Sequence, residues 1–188
     1  MLEGRLLDVG CAYGPFLQAA RERGLRVEGL EVCAEAVRHV RERLGLPCVH
    51  GDFLQARLEE SAYDALTMWY VLEHFRDPAA ALAKANRLLR AGGLLGFATP
   101  NASGVSARRS LYSFLRSSPA DHFTVWSAGT TAALLSRFGF RLRRLRVTGH
   151  HPERFPGRLP SGLLAAGSRL LGLGDTFEAY AVKIGEPG

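Results

Sequence analysis

The sequence predicts an α/β protein with a doubly wound, mainly parallel β-sheet. Three observations carry this prediction. Short apolar runs alternate with segments of helical spacing from Arg5 to Thr99. The helical segments reach about ten residues, the length that a crossover between parallel strands needs. The chain of 188 residues is long enough for one such domain and short for two.

The first half of the chain contains five predicted strands and three predicted helices. Apolar runs stopped by glycine or by polar residues predict strands at Arg5–Gly10, Leu25–Glu31, Leu46–His50, Tyr63–Tyr70 and Leu94–Thr99. The predicted helices are Pro15–Gly24, Ala34–Leu44 and Pro78–Arg90. Two of these helices open on proline, which a first helical turn accepts, and glycine closes or follows all three.

The regular alternation ends after Pro100. A Ser- and Arg-rich stretch keeps apolar residues at helical spacing over Leu111–Leu115, and a helix is predicted from about Ala128 to Phe138. Phe140–Val147 alternates arginine with apolar residues, which is typical of a strand with one exposed face. The last predicted elements are a helix over Leu163–Leu171 and a seventh strand over Thr176–Ile184.

Composition excludes some classes of protein. No apolar run approaches the roughly 20 residues of a membrane-spanning helix, and no basic-then-apolar leader is present. We therefore expect a cytoplasmic protein without a membrane span. Cys11, Cys33 and Cys48 lack metal-ligand spacing, so we expect reduced thiols in or near the core and no metal site. The net charge of +6 is spread over many arginines and is weak evidence for a nucleic-acid partner.

Small and acidic residues collect at the ends of the first three strands. The first turn reads Asp8-Val9-Gly10-Cys11-Ala12-Tyr13-Gly14, and small residues at positions 10, 12 and 14 let a ligand approach the backbone. Glu31 ends the second strand, where a carboxylate can accept hydrogen bonds from both hydroxyls of a ribose. Asp52 follows the third strand, where it can accept from the exocyclic amine of adenine. Because ligands of open α/β sheets bind at the carboxyl ends of strands, the set predicts a nucleoside site.

The motifs continue along the chain and together carry a family resemblance. The segments are Leu6–Gly14, Glu31, Gly51-Asp52-Phe53, Tyr63-Asp64-Ala65, Val71–Phe75 with Asp77-Pro78, Leu88–Gly93, Thr99-Pro100-Asn101, and His122-Phe123 ahead of Phe138-Gly139-Phe140. This combination resembles class I S-adenosylmethionine-dependent methyltransferases, in particular the ubiquinone-biosynthesis-like small-molecule methyltransferases. Ala12 departs mildly from the family pattern, which usually has glycine there.

The resemblance implies a fold, a cofactor and a set of contacts. It implies a seven-stranded Rossmann-like sheet whose last strand is antiparallel and lies beside the sixth, with S-adenosyl-L-methionine as cofactor. The methyl acceptor would be a small molecule, with oxygen, nitrogen or carbon as the nucleophile. Trp69 would lie near the sulfonium. The other implied cofactor contacts are Asp8, Gly10, Ala12 and Gly14 around the methionine part, Glu31 at the ribose, and Asp52 and Phe53 at the adenine.

Two histidines are the candidate catalytic residues. Methyl transfer from a sulfonium needs alignment and a dry site rather than a covalent intermediate. His74 is the candidate base for a hydroxyl acceptor, with Glu73 to orient its ring. The alternative is that both residues cap or pack the following turn. His122 is expected to line the acceptor pocket, with stabilisation of a loop as its alternative role.

Residues 1–188 are expected to form a single methyltransferase domain, in which 101–120 and 149–175 are lid or interface insertions. The first strand begins at about Arg5, whereas the family usually carries helices before it that close over the cofactor. We therefore expect these cap helices to be absent. A homodimer over the open face is one expected substitute for them.

Three rival interpretations stay open. A nicotinamide-dependent dehydrogenase shares the acid at the end of the second strand, but its G-x-G-x-x-G fingerprint is replaced here by G-x-A-x-G. An RNA methyltransferase is suggested by the charge, but Tyr70–His74 lacks the Asn/Asp-Pro-Pro-aromatic motif of many base-modifying enzymes. The third rival is a non-catalytic module that binds the cofactor or a partner.

Overall fold

The structure is a computed structural model that describes residues 3–154 and 160–187. The strands are β1 (Arg5–Val9), β2 (Arg26–Glu31), β3 (Cys48–His50), β4 (Tyr63–Trp69), β5 (Leu89–Pro100), β6 (Phe140–Thr148) and β7 (Thr176–Lys183). The helices are α1 (Pro15–Glu22), α2 (Ala34–Glu42), α3 (Pro78–Leu88), α4 (Val105–Arg109), α5 (Leu111–Ser117), α6 (Thr131–Ser136) and α7 (Ser161–Leu170). Single 3-10 turns cover Leu72–His74 and Pro152–Arg154.

The seven strands form one sheet in the order β3-β2-β1-β4-β5-β7-β6. Strands β1 to β5 pair in parallel, and β7 lies antiparallel between β5 and β6. This confirms the predicted doubly wound, seven-stranded, mainly parallel sheet with an antiparallel last strand. Strand order reverses at β1, which lies between β2 and β4. A sheet of this kind binds its ligand at such a switch point.

Helices cover both faces of the sheet. Successive side chains of a strand point to opposite faces, and Leu6 and Leu7 accordingly belong to two different apolar clusters. Leu6 packs in the cluster that contains Leu17 of α1 and Val40 of α2. Leu7 packs in the larger cluster, which takes in Leu82 of α3 and apolar residues of α6. The core therefore holds the strand ends of β1 and β4 rigidly from both sides.

The element boundaries differ from the sequence prediction in β5. This strand begins at Leu89, five residues before the predicted start at Leu94. Tyr63 pairs with Leu89 and Ala65 pairs with Leu94, so the intervening residues of β5 form a bulge. Gly92 has a φ of +78°, and this left-handed conformation lets the strand continue beyond the bulge.

The stretch after β5 contains short helices that the sequence predicted only in part. Helix α4 was not predicted, and α6 is shorter than the predicted helix 128–138. Ser110 begins α5, where its hydroxyl accepts a hydrogen bond from the Ser113 N–H at 3.1 Å. The expected insertion 101–120 corresponds to α4 and α5. The expected insertion 149–175 includes residues 155–159, which lie outside the described residues.

Two expectations from composition can be compared with the structure. Within the described ranges, no helix combines the length and the apolar character that crossing a membrane requires. The three cysteines are free thiols. Cys11 and Cys48 are buried as expected, whereas Cys33 is exposed immediately before α2.

Candidate functional site

A cavity of about 400 Å³ opens at the carboxyl ends of β1, β2 and β4, at the point where strand order reverses. The residues around it are Val9, Gly10, Leu30, Glu31, Val32, Asp52, Phe53, Tyr70, Val71, His74 and Phe75. Five of the predicted site residues therefore line one cavity, namely Gly10, Glu31, Asp52, Phe53 and His74. The volume is within the range of small-ligand pockets. We call it the first cavity.

The turn after β1 approaches the first cavity through glycine backbone. The Gly10 N–H donates to the Leu30 carbonyl at 2.7 Å, which ties the turn to β2. Gly10 has a φ of +69°, and a Cβ atom there would lie 2.5 Å from Cγ2 of Val71. Gly14 has a φ of +81° and immediately precedes α1. Both positions therefore require glycine, for backbone conformation and for space.

Ala12 occupies the position where the resembling family usually has glycine. Its φ is +48°, in the left-handed region that L residues adopt at a cost of about 1 kcal/mol. Its N–H donates to Oε2 of Glu31 at 2.9 Å. Neither Ala12 nor Gly14 is among the described residues that line the first cavity. They shape the turn, while Gly10 borders the cavity.

Glu31 is held by backbone hydrogen bonds at the wall of the first cavity. Besides the Ala12 N–H, its carboxylate accepts from the N–H groups of Val32 and Cys33 at 2.8 and 2.9 Å. Its residue exposure is only 8%. A carboxylate offers about four acceptor positions, so one remains for a ligand. Glu31 can therefore accept from two ribose hydroxyls, as the sequence predicts, only if both share the remaining position or if one hydroxyl displaces a backbone N–H.

Asp52 and Phe53 form the far side of the first cavity. Asp52 Oδ1 accepts from the N–H of Leu54 at 2.8 Å, which fixes the carboxylate at the rim. Oδ2 has no hydrogen-bond partner among the described residues, so it can accept from a ligand N–H. Phe53 is buried, and its ring lies 5.8 Å from that of Phe75. The pair offers apolar walls for a flat ring.

Asp8 lies beneath the site rather than in it. It is buried, and its Oδ1 accepts from the Thr67 hydroxyl at 2.6 Å. Burial raises the pKa of Asp8 to about 7, although the Thr67 hydrogen bond acts in the opposite direction. Asp8 is not among the described residues that line the first cavity. The structure therefore favours its predicted role of supporting the turn over direct contact with a ligand.

Trp69 is placed away from the first cavity. Its ring packs edge-on against Phe16 of α1 at 5.3 Å and against Tyr180 of β7 at 6.2 Å. Trp69 is not among the described residues that line the first cavity, so the structure gives no support to its predicted place near the sulfonium. The next residue, Tyr70, lines the cavity instead.

Tyr70 has a strained backbone at the end of β4. Its φ is +58°, which is uncommon for an aromatic residue. A hydrogen bond from its N–H to the Ala98 carbonyl at 2.8 Å holds this conformation. Its side chain is half exposed at the cavity. The sequence predicted no site role for Tyr70 beyond its place at the end of the fourth strand.

His74 lines the first cavity from the 3-10 turn after β4. Its Nδ1 lies 3.2 Å from Oδ2 of Asp121 and 3.2 Å from the Asp121 carbonyl oxygen. Asp121, rather than the predicted Glu73, therefore orients the ring. In the tautomer whose Nδ1–H donates to Asp121, Nε2 is free to accept a proton. Asp121 is distant in sequence, and no local pattern links it to His74.

Glu73 and His122 complete a cluster around His74. The rings of His74 and His122 lie 4.7 Å apart, edge to face. The Glu73 carboxylate is buried and has no hydrogen-bond partner in the part of the chain that the structure describes. Burial raises the pKa of Glu73 and, together with the charge of His74, lowers that of His122. One ligand atom from each residue lies within 4.8 Å of the others, close enough to share a cation, although the sequence spacing predicted no metal site.

The fold and the cavity define a Rossmann-like domain with a nucleoside-sized cleft at the switch point of its sheet. Residues 2–145 match the family described as a methyltransferase domain. This match spans most of the chain, which therefore belongs to the methyltransferase domain family.

Curated relatives and solved structures agree with this family. The ubiquinone biosynthesis O-methyltransferase of Klebsiella pneumoniae is 32% identical over 106 residues, which cover 53% of this chain and 44% of that protein. The protein of the same name from Alkalilimnicola ehrlichii is 36% identical over 107 residues, covering 53% and 43%. The chain thus spans less than half the length of these curated relatives.

Two solved structures share the fold at low sequence identity. A SAM-dependent methyltransferase from Archaeoglobus fulgidus superposes with a TM-score of 0.72 at 16% identity, covering 95% of this chain and 86% of that one. An S-adenosylmethionine-dependent methyltransferase from Mesorhizobium loti gives 0.70 at 19% identity, covering 95% and 90%. At these identities the likeness shows the fold alone.

Proposed function

We propose that this protein transfers a methyl group from S-adenosyl-L-methionine to a small-molecule acceptor. The observation that carries the proposal is the Glu31 carboxylate, which three backbone N–H groups fix at the wall of a nucleoside-sized cavity beside the Gly10 turn. Membership of the methyltransferase domain family supports the reaction class.

The residues around the first cavity fit this cofactor. The remaining acceptor position of Glu31 suits a ribose hydroxyl, and Oδ2 of Asp52 suits an exocyclic amine. Phe53 and Phe75 exclude water from the space between these acids. When bound, S-adenosyl-L-methionine supplies a methyl group activated by its sulfonium charge. The protein aligns this group with an acceptor and keeps the site dry.

His74 is the proposed proton acceptor when the methyl acceptor is a hydroxyl. The hydrogen bond to Asp121 fixes the ring, so Nε2 can take the proton that the hydroxyl releases. His122 packs against the same ring, and burial together with the charge of His74 lowers the pKa of His122. Glu73 contributes its backbone, since its carbonyl oxygen accepts from the Phe123 N–H at 2.8 Å and thereby positions the His122 segment.

A small-molecule acceptor is proposed ahead of RNA because the curated relatives carry the name of an O-methyltransferase of ubiquinone biosynthesis. Transfer to RNA and a non-catalytic module remain the alternatives. The single-domain organisation with lid or interface insertions, a cytoplasmic location and a homodimer stay predictions.

The proposal is tested by measuring S-adenosylhomocysteine release by mass spectrometry. The protein is incubated with S-adenosyl-L-methionine and separate pools of phenols, carboxylic acids, amines and ribosomal RNA fragments. We expect turnover with a small-molecule pool only. Turnover with RNA alone would replace the small-molecule proposal. Cofactor binding without turnover in any pool would indicate a non-catalytic module.

A matched pair of histidine variants tests the proton acceptor with whichever hydroxyl acceptor is found. His74→Gln should reduce turnover about 10²–10⁴-fold, the usual contribution of general base catalysis. His39→Gln, on α2 and outside the lining of the first cavity, should change it less than twofold. Equal effects in the two variants, or a normal rate in His74→Gln, would contradict the role of His74.

A further inference from the structure

A second cavity lies on the other side of the histidine pair. Its volume is about 660 Å³, and it lies between α4, α5 and the facing ends of β5 and β7. His122 lines this second cavity, whereas His74 lines the first cavity. Because the two rings lie 4.7 Å apart, a small molecule in the second cavity would be adjacent to the proposed methyl-transfer position.

The second cavity carries an unbalanced positive charge. Arg154 and Asp175 line it and form an ion pair, with Nη1 and Oδ2 in hydrogen-bond contact at 2.6 Å. Asp175 is buried and also accepts from the N–H and the hydroxyl of Ser106 at 2.9 and 2.6 Å. Asp175 therefore accepts three hydrogen bonds, and its charge is balanced by Arg154.

Arg109 is the cation that remains. Its Nη1 donates to the Arg154 carbonyl oxygen at 3.0 Å, which holds the guanidinium at the cavity wall. No carboxylate oxygen among the described residues lies within 4.0 Å of its nitrogens. A guanidinium has five N–H donors in a planar fork, so several remain for a ligand that can accept two parallel hydrogen bonds.

The rest of the wall is polar. Five serines line it, and Phe114 is its one large apolar side chain among the described residues. An apolar acceptor would leave the remaining N–H groups of the Arg109 guanidinium without partners, which costs free energy. A cationic acceptor would be repelled by Arg109. A small anion meets neither penalty.

We infer that the methyl acceptor carries a carboxylate or a phosphate group, which pairs with Arg109 in the second cavity. This inference rests on the proposed function for the identity of the reaction, but the anion site itself can be tested separately. The anionic group would bind at α4, and the part of the molecule to be methylated would extend past His122 toward the first cavity.

Ligand-observed NMR titration of the full chain tests the anion site. The probes are benzoate, phenyl phosphate and neutral benzamide, each with and without S-adenosylhomocysteine. We expect at least one anion to bind ten times or more tightly than benzamide. The stronger of the two anions distinguishes a carboxylate site from a phosphate site. Equal binding of benzamide and both anions, or no anion binding, would overturn the inference.

Neighbouring arginines of α4 provide the matched variants. Arg109→Gln should lower the affinity for the anion at least tenfold. Arg109→Lys should retain part of the affinity, because lysine keeps the charge but lacks the planar, two-pronged guanidinium. Arg108→Gln is the control, since Arg108 is exposed on the same helix and is not part of the described lining. The same loss in Arg108→Gln and Arg109→Gln would show a general charge effect and contradict a built site.

The two proposals fail in different ways. S-adenosylhomocysteine affinity should be unchanged in all three arginine variants. If the wild-type chain binds the anion through Arg109 but binds no S-adenosylhomocysteine, the proposed function fails and the anion site stands. If it binds S-adenosylhomocysteine but no anion, the inference fails and the proposed function stands.

Discussion

The cofactor side of the molecule and the acceptor side are built differently. Helices α1, α2 and α3, which flank the first cavity, each bury at least two side chains in the core. At the second cavity, helix α4 buries Val105 and Ala107, whereas helix α5 buries no side chain. Rigid strand ends therefore position the residues of the first cavity, whereas the wall of the second cavity includes a short helix, α5, that is not anchored in the core. A rigid wall suits a cofactor that the whole family shares, whereas a loosely packed wall can vary to match a particular acceptor.

The largest expected contrast is in core packing. Leu17 of α1 is fully buried, whereas Leu115 of α5 is 45% exposed. Leu17→Ala should lower the free energy of unfolding by about 3–4 kcal/mol because it leaves a cavity in the core. Leu115→Ala should change it by less than about 0.5 kcal/mol. Urea unfolding followed by circular dichroism gives both values, and equal losses would contradict the contrast between the two sides.

A glycine pair tests whether the turn of the first cavity needs space as well as a left-handed backbone. Gly10→Ala brings a Cβ atom against Val71, whereas Gly45 has a similar φ of +61° with no atom within 4 Å of a built Cβ. We expect a stability loss of about 3 kcal/mol for Gly10→Ala and about 1 kcal/mol for Gly45→Ala. S-adenosylhomocysteine affinity should fall in the first variant only. Matching losses would mean that the contact with Val71 is unimportant.

Asp8 predicts a pH dependence of stability. Its pKa rises from 3.8 in the unfolded chain to about 7 in the folded one. The folded state therefore favours the protonated form of Asp8. The stability that this preference gives to the fold is complete below pH 3.8 and is lost as the pH rises to about 7. Asp8→Asn, which keeps an acceptor for Thr67, should therefore stabilise the protein at pH 8 by about 2 kcal/mol and have little effect near pH 4.

Asp64→Asn is the control of opposite sign. The Arg5 N–H, with further help from Arg90, holds the pKa of Asp64 below its usual value. Its contribution is present above the unfolded pKa and is lost in acid. This variant should therefore be less stable than the wild type at pH 8 and should approach it as the pH falls. Thermal unfolding at pH 4, 6 and 8 measures both variants, and the same sign in both would contradict the assignment of Asp8.

The smallest expected effect concerns backbone strain at Ala12. Ala12→Gly relieves the left-handed conformation but adds freedom to the unfolded chain, so we expect a net gain of about 0.5 kcal/mol. Ser61→Gly, at a φ of +51° outside the lining of the first cavity, should give a similar gain. Differential scanning calorimetry can resolve both changes. A loss of stability in Ala12→Gly would show that the alanine methyl group packs favourably.

The contrast between the two sides also explains what the sequence could predict. The seven strands, the Gly10 turn, Glu31 and Asp52 followed from local patterns, because strand ends and tight turns impose residue types on their own neighbourhood. The place of Trp69 near the sulfonium stays a prediction, since its ring packs against Phe16 and Tyr180 and is not among the described residues that line the first cavity. Asp121 could not be assigned a role, since its partner His74 lies far away in sequence and meets it only through tertiary packing.

The most direct test of the central claim is calorimetric titration of the wild-type chain with S-adenosylhomocysteine and with NAD. We expect micromolar binding of S-adenosylhomocysteine and no detectable binding of NAD. Glu31→Ala should weaken S-adenosylhomocysteine binding about 10–100-fold, as expected for losing hydrogen bonds to a charged group. Glu28→Ala, on the same strand but paired with Arg5 and Tyr63, should leave it unchanged. Equal binding of the two ligands, or no binding of S-adenosylhomocysteine, would contradict the account.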